Sequence, residues 1–147
     1  LEEELEWINN VYQEMCDVLA IKHRVPIKTC TDGWFGIVRS RQINRWHVKG
    51  KRKFPKYGKF IPYVIELDEE FIKACYLNCK DEILSPVFRT LIHEMCHAET
   101  TFKHTSRFYK LYYKFCMKWM AYCLDRKYND CLKDKDIIKY INRYKLS

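Results

Sequence analysis

Glycine and proline are scarce, four of each in 147 residues, too few for a collagen-like or linker-rich chain. Long apolar runs are missing as well. The longest, residues 119–124, has six residues, against the roughly 18–20 that a helix needs to cross a bilayer. There is no internal repeat, no visible secretory leader, no Asn-x-Ser/Thr acceptor and no Cys-x-x-Cys pair. What remains is ordinary globular usage, 48% hydrophobic and 31% charged, in a chain long enough for one core and too short for two full domains.

Acidic residues are absent from one region. Residues 33–65 hold nine Lys or Arg and no Asp or Glu; outside them 18 basic residues face 19 acidic ones, so the net charge of +8 belongs to this segment. Its cations, Arg39, Arg41, Arg45, Lys49, Lys51, Arg52, Lys53, Lys56 and Lys59, are interleaved with Trp46, Phe54, Tyr57 and Phe60. Cations follow phosphates and exposed aromatics stack on unpaired bases, so these cations together with Trp46 are candidate contacts to single-stranded or frayed DNA. The plainer reading is a solvated basic loop.

Eight cysteines fit either a disulfide-stapled secreted domain or a reduced intracellular one. Cys16, Cys116 and Cys123 fall in apolar helical patterns, where a free thiol behaves as a small hydrophobe. Cys75 and Cys79 have no second pair to complete a metal knuckle. A reduced, intracellular protein, cytoplasmic or nuclear, is the expectation.

Ile8, Val11, Tyr12, Met15 and Leu19 recur at helical spacing, predicting an amphipathic N-terminal helix that Pro26 prevents from continuing. Residues 27–31 and 34–40, joined by Asp32-Gly33, read as a hairpin. Residues 62–67 read as a third strand, followed by a helix capped by Asp68, and the basic segment lies between as a long loop or extended hairpin. Ser85-Pro86 opens a further helix, Ser as cap and Pro at the first helical position. Another begins near Thr105 or Ser106, with Phe108, Leu111, Phe115, Trp119 and Cys123 on its apolar face and Lys110, Lys114 and Lys118 on its wet one. A terminal helix is predicted from Asp134. The order helix, strands, helices means α+β.

The helix opened by Pro86 carries His93-Glu94-Met95-Cys96-His97, the HExxH pattern. Four residues apart on a helix, the two imidazoles share a face and can converge on one Zn²⁺, with Glu94 directed at its water. A catalytic zinc takes three protein ligands and leaves a position open. His104 is the candidate third. On an unbroken helix it would lie about 10 Å along the axis from His97, too far to share an ion bound at about 2.1 Å. The helix must therefore break, and Thr100-Thr101 with a cap at Thr105 or Ser106 offers the place. Glu99 is the competing third ligand, while His23 and His47 read as surface or core side chains.

TLIHEMCHAE, a third His soon after it and the aromatic-rich HTSRFYKLYYKF together resemble the SprT-like (Spartan-type) zinc metalloprotease domain. The likeness covers roughly residues 5–118, and the short approach to the third His is similar to the related YgjP-like and WLM metallopeptidases. It implies a zincin-like single domain over residues 1–147: an N-terminal helix, a small three-stranded antiparallel or mixed sheet, a metal helix at about 86–99 and C-terminal helices at about 105–147. It further implies an enzyme, a metallopeptidase with one Zn²⁺ on His93, His97 and His104 and with Glu94 as general base. DNA-associated or DNA-crosslinked proteins are the implied substrates, and DNA is an expected partner. A monomer with no membrane association is expected. Two alternatives remain, a nucleic-acid-binding module whose metal site is structural or degenerate and a secreted zinc peptidase.

Overall fold

A computed structural model describes residues 1–31, 33, 35–42, 45–49, 52–56 and 60–127, giving the backbone alone for 41, 42, 45–49, 52–56 and 127. The elements are α1 (Glu2–Val18), β1 (Ile27–Cys30), β2 (Gly36–Gln42), β3 (Arg45–Lys49), β4 (Arg52–Lys56), β5 (Phe60–Asp68), α2 (Glu69–Cys79), α3 (Pro86–Glu99) and α4 (Ser106–Lys127). The chain is thus α+β, with four helices and a three-stranded mixed sheet among the described residues. No helix among them is long and apolar enough to cross a membrane. The terminal helix expected from Asp134 lies outside the described residues.

The N-terminal helix forms on the predicted face, burying Ile8, Tyr12 and Met15. It stops eight residues short of Pro26, in a Schellman arrangement. The amide of Ile21 donates to the carbonyl of Cys16 and that of Ala20 to Asp17, which satisfies carbonyls the helix end leaves open. Ala20 occupies the left-handed position of that motif at φ 54°, where glycine is usual.

The predicted hairpin of the first two strands does not form. The sheet order is β1-β5-β2, with β1 parallel and β2 antiparallel to β5. Val64, Ile65 and Leu67 of β5 are buried, so β5 gains most at the centre, and the Asp32-Gly33 link has to span two strand spacings of about 4.8 Å each. Gly33 still supplies a left-handed residue, at φ 82°. Pro62 cannot donate to a ladder and sits at its irregularity. Arg39 pairs with Val64 and Ser40 with Pro62, leaving Tyr63 as the extra residue of a bulge. The basic segment folds in part as a separate antiparallel pair, β3 with β4.

Asp68 caps α2 as expected, accepting from the amide of Phe71 at 2.9 Å. Ser85 precedes α3 but caps nothing, and its hydroxyl is buried without a partner. Pro86 has no amide to offer, and the next one, Val87, donates instead to the Cys75 sulfur. The core lies between the sheet and the helices. Ile65 and Leu67 share one buried cluster with Leu91, Ile92 and Met95 of α3, Tyr12 and Met15 of α1, and Phe108, Phe115 and Trp119 of α4.

Candidate metal centre

The inner face of α3 is fixed by Val87, Leu91, Ile92 and Met95, all buried. That packing turns His93, Glu94 and His97 toward one side of the sheet, where a cleft of about 450 Å³ runs between α3 and Gly36, Ile37 and Val38 of β2. At Thr100 the helix ends: its hydroxyl donates to the carbonyl of Cys96 at 2.7 Å, and its amide is shared between the carbonyls of Cys96 and His97. A β-branched residue bonded back to its own helix is a stop signal with a mechanism. The chain then doubles back, and Thr105 caps α4 by accepting from the amide of Phe108.

This break brings His104 to the other two imidazoles. The three Nε2 atoms form a nearly equilateral triangle, His93 to His97 3.1 Å, His97 to His104 3.1 Å and His104 to His93 3.2 Å. Three nitrogens each about 2.05 Å from one ion at tetrahedral angles would stand about 3.3 Å apart, so the triangle fits a shared metal ion within a few tenths of an ångström. The proton inventory agrees. Nδ1 of His97 lies 2.8 Å from the carbonyl of Thr101, which can only accept, so Nδ1 carries the hydrogen and Nε2 presents a lone pair. The His97 nitrogen at the triangle is thus a lone pair free to bind a metal ion.

Burial, followed by the adjacent His97 and His104, lowers the pKa of His93 to about 4. His97 is also lowered, chiefly by burial. Both rings are therefore neutral ligands at neutral pH without having to release a proton. Phe108 supports all three, stacked on His97 at 4.4 Å between ring centroids and edge-on to His93 and His104 at 4.9 and 5.0 Å.

Glu94 is 6% exposed. Burial raises its pKa to about 7, opposed by the amide of Val38, which donates to the carboxylate. The side chain is thus aimed from α3 and held from β2. Gly36 permits this approach, because a Cβ there would lie 2.7 Å from Cγ2 of Thr90 and 3.2 Å from Cγ of Glu94.

The remaining sequence candidates are placed as follows. Glu99 is exposed and outside the histidine cluster, as is His23. Arg39 pairs with Glu66 at 3.5 Å. Arg45, Trp46, Lys49, Arg52, Lys53 and Lys56 belong to the β3–β4 pair, and Arg41 to β2; their side chains, like Lys51 and Lys59 entirely, lie outside the described residues. His47 is in β3. Sequence reading missed the Thr101 carbonyl and the Val38 amide, backbone groups that leave no residue-type signal. It also missed Phe108 as a platform, although its spacing of four from His104 on a capped helix was visible.

Comparison with family models, with curated proteins and with solved structures finds no match for this chain.

Proposed function

We propose that this chain is a zinc-dependent endopeptidase domain of zincin-like, SprT-like type. The observation that carries the reading is the Nε2 triangle of His93, His97 and His104 with Glu94 beside it in an open cleft. Three histidines are a frequent ligand set for a zinc that keeps one position for water or substrate. A Zn²⁺ held there supplies a Lewis acid that polarises a peptide carbonyl and brings the pKa of water toward ~7. Glu94 takes the proton as the water oxygen bonds to the carbonyl carbon, then delivers it to the amine nitrogen as the C–N bond breaks. Its buried, amide-tethered carboxylate suits a group that must change protonation state near neutral pH.

The test is Glu94→Gln. The variant should retain zinc by metal analysis and lose peptide cleavage by ~10²–10⁴-fold; undiminished cleavage at full zinc occupancy overturns the assignment of the base.

DNA-associated protein substrates and an intracellular site of action are the finer part of the proposal. In the β3–β4 pair, Arg45 lies across from Lys56 and Lys49 across from Arg52, so two of the five ladder positions set cation against cation. Such pairing is unfavourable without a polyanion. The same observation favours the second reading, a nucleic-acid-binding module with a structural metal. Absence of turnover on any protein, with or without DNA, together with salt-dependent DNA binding, would decide for it.

A further inference from the structure

A second cleft, of about 530 Å³, shares Gly36, His93 and Glu94 with the first. Phe35, Phe71 and Tyr112 line it, and Arg89 is its only cation among the described residues. Phe35 and Phe71 pack ring to ring at 4.8 Å, yet Phe35 remains 67% exposed. Arg89 is exposed and forms no ion pair among the described residues; its charge acts on Tyr112 and Cys116. It stands one helical turn before His93, hence on the same face of α3 and about 6 Å along the axis. Helical side chains lean toward the N-terminus, which carries the guanidinium from the triad into the second cleft.

We infer that Arg89 determines specificity, holding a carboxylate of the substrate residue next to the scissile bond while Phe35, Phe71 and Tyr112 pack on its apolar stem. Three features support this. The cleft is continuous with the metal centre through Gly36, His93 and Glu94. Its walls are aromatic, which suits an aliphatic stem. It also offers a planar guanidinium with no ion pair among the described residues, the group that recognises carboxylates two-pronged. The carboxylate can belong to an Asp or Glu side chain or to the free end of a polypeptide.

The inference rests on the peptidase reading, and its test separates the two. Short peptides bearing a hydroxamate at the C-terminal end, and a reversed series bearing it at the N-terminal end, anchor on the metal from either direction without turnover. With the zinc-loaded protein, a Glu-containing probe should bind about ten- to a hundredfold more tightly than its Gln counterpart. That preference should vanish in Arg89→Ala and turn toward Lys in Arg89→Glu. Free-acid against amidated probes of the reversed series distinguish a chain end from a side chain. Equal binding of Glu and Gln probes to the wild type, or an unchanged preference in Arg89→Ala, overturns the role of Arg89 while leaving the peptidase reading intact. Failure of every hydroxamate to bind at full zinc occupancy overturns both. Cleavage of an unmodified peptide library by the same protein tests the peptidase reading alone.

Discussion

Adding one methyl group at Gly36 should disturb the centre more than its size suggests. The Cβ of Gly36→Ala would stand 2.7 Å from Cγ2 of Thr90 and 3.2 Å from both Cγ of Glu94 and Cδ2 of Leu67. Carbon atoms settle at about 3.5–4.0 Å, so β2 and α3 must part by about 1 Å where Thr90 is struck. Overpacking of this kind costs about 1–3 kcal/mol, which for a chain of this length lowers Tm by about 3–10 °C. The same displacement moves Glu94 from the Val38 amide, and a misplacement of about 1 Å can reduce turnover ~10²-fold. Thermal unfolding of Gly36→Ala, Thr90→Ser and the double variant is the assay. Serine lacks the struck methyl, so the double variant should regain most of the lost stability while Glu94, still crowded at 3.2 Å, leaves activity depressed. A Tm for Gly36→Ala within ~1 °C of wild type, or additive losses in the double variant, would refute the argument.

His104→Ala should lower zinc affinity by orders of magnitude in competition with a chromophoric chelator, and His47→Ala should leave it unchanged; the reverse result removes His104 from the ligand set. Ala20→Gly relieves a left-handed alanine at φ 54° and should raise stability by about 0.5–1 kcal/mol in urea unfolding; a loss would mean that the methyl group packs usefully. In the metal-free protein, His93 at about 4 and Glu94 at about 7 oppose each other. Between pH 4.5 and 6.5 the unfolded chain protonates His93 where the native one does not, so acidification destabilises. In the same window the native chain protonates Glu94 where the unfolded one does not, so acidification stabilises. His97, lowered in the same direction, adds to the His93 side, so wild type should lose stability modestly on acidification through this window and Glu94→Gln should lose it more steeply; equal slopes would refute the assignment. Changing Lys51, Arg52 and Lys53 together to Ala should flatten the salt dependence of duplex DNA binding by up to ~3 units of log–log slope; an unchanged slope returns the segment to a solvated loop.

The parts of this fold legible in the sequence were those fixed by neighbours a few residues away. The faces of α1 and α4, the Asp68 cap, the i, i+4 pair of His93 and His97 and the break before His104 all follow from local spacing and side-chain chemistry. The pairing of the strands did not. Asp32-Gly33 is a strong hairpin signal, but it encodes a turn, and which strand enters beside β1 is decided by the burial of Val64, Ile65 and Leu67 about thirty residues further on. Ser85 was misread for a related reason: whether a hydroxyl caps depends on who else claims the amide, and here the Cys75 sulfur from α2 does. The triangle itself was legible as a list of three residues. Its closeness to zinc geometry depends on the Thr101 carbonyl and the Phe108 ring, which only the folded chain brings into place.

The triad also has a mechanical meaning. Two of its rings stand on α3, and the third stands on the short stretch, residues 100–105, that leads into α4; its residues 101–105 are exposed along their whole length. Thr100 is bonded back to α3, the Thr101 carbonyl accepts from His97 and Thr105 caps α4; an ion shared by the three rings would add a rivet between the helices. Occupancy then adds to the stability of the whole domain in proportion to the logarithm of free metal over its dissociation constant. A depleted molecule would open first at this corner, uncovering the Phe108 side of the core, and limited proteolysis with and without chelator should find its earliest nick between Thr100 and Thr105. A first cut elsewhere, at the same rate in both conditions, would show that the corner holds without its rivet. The site would thus report on metal supply through the lifetime of the protein as well as through its chemistry.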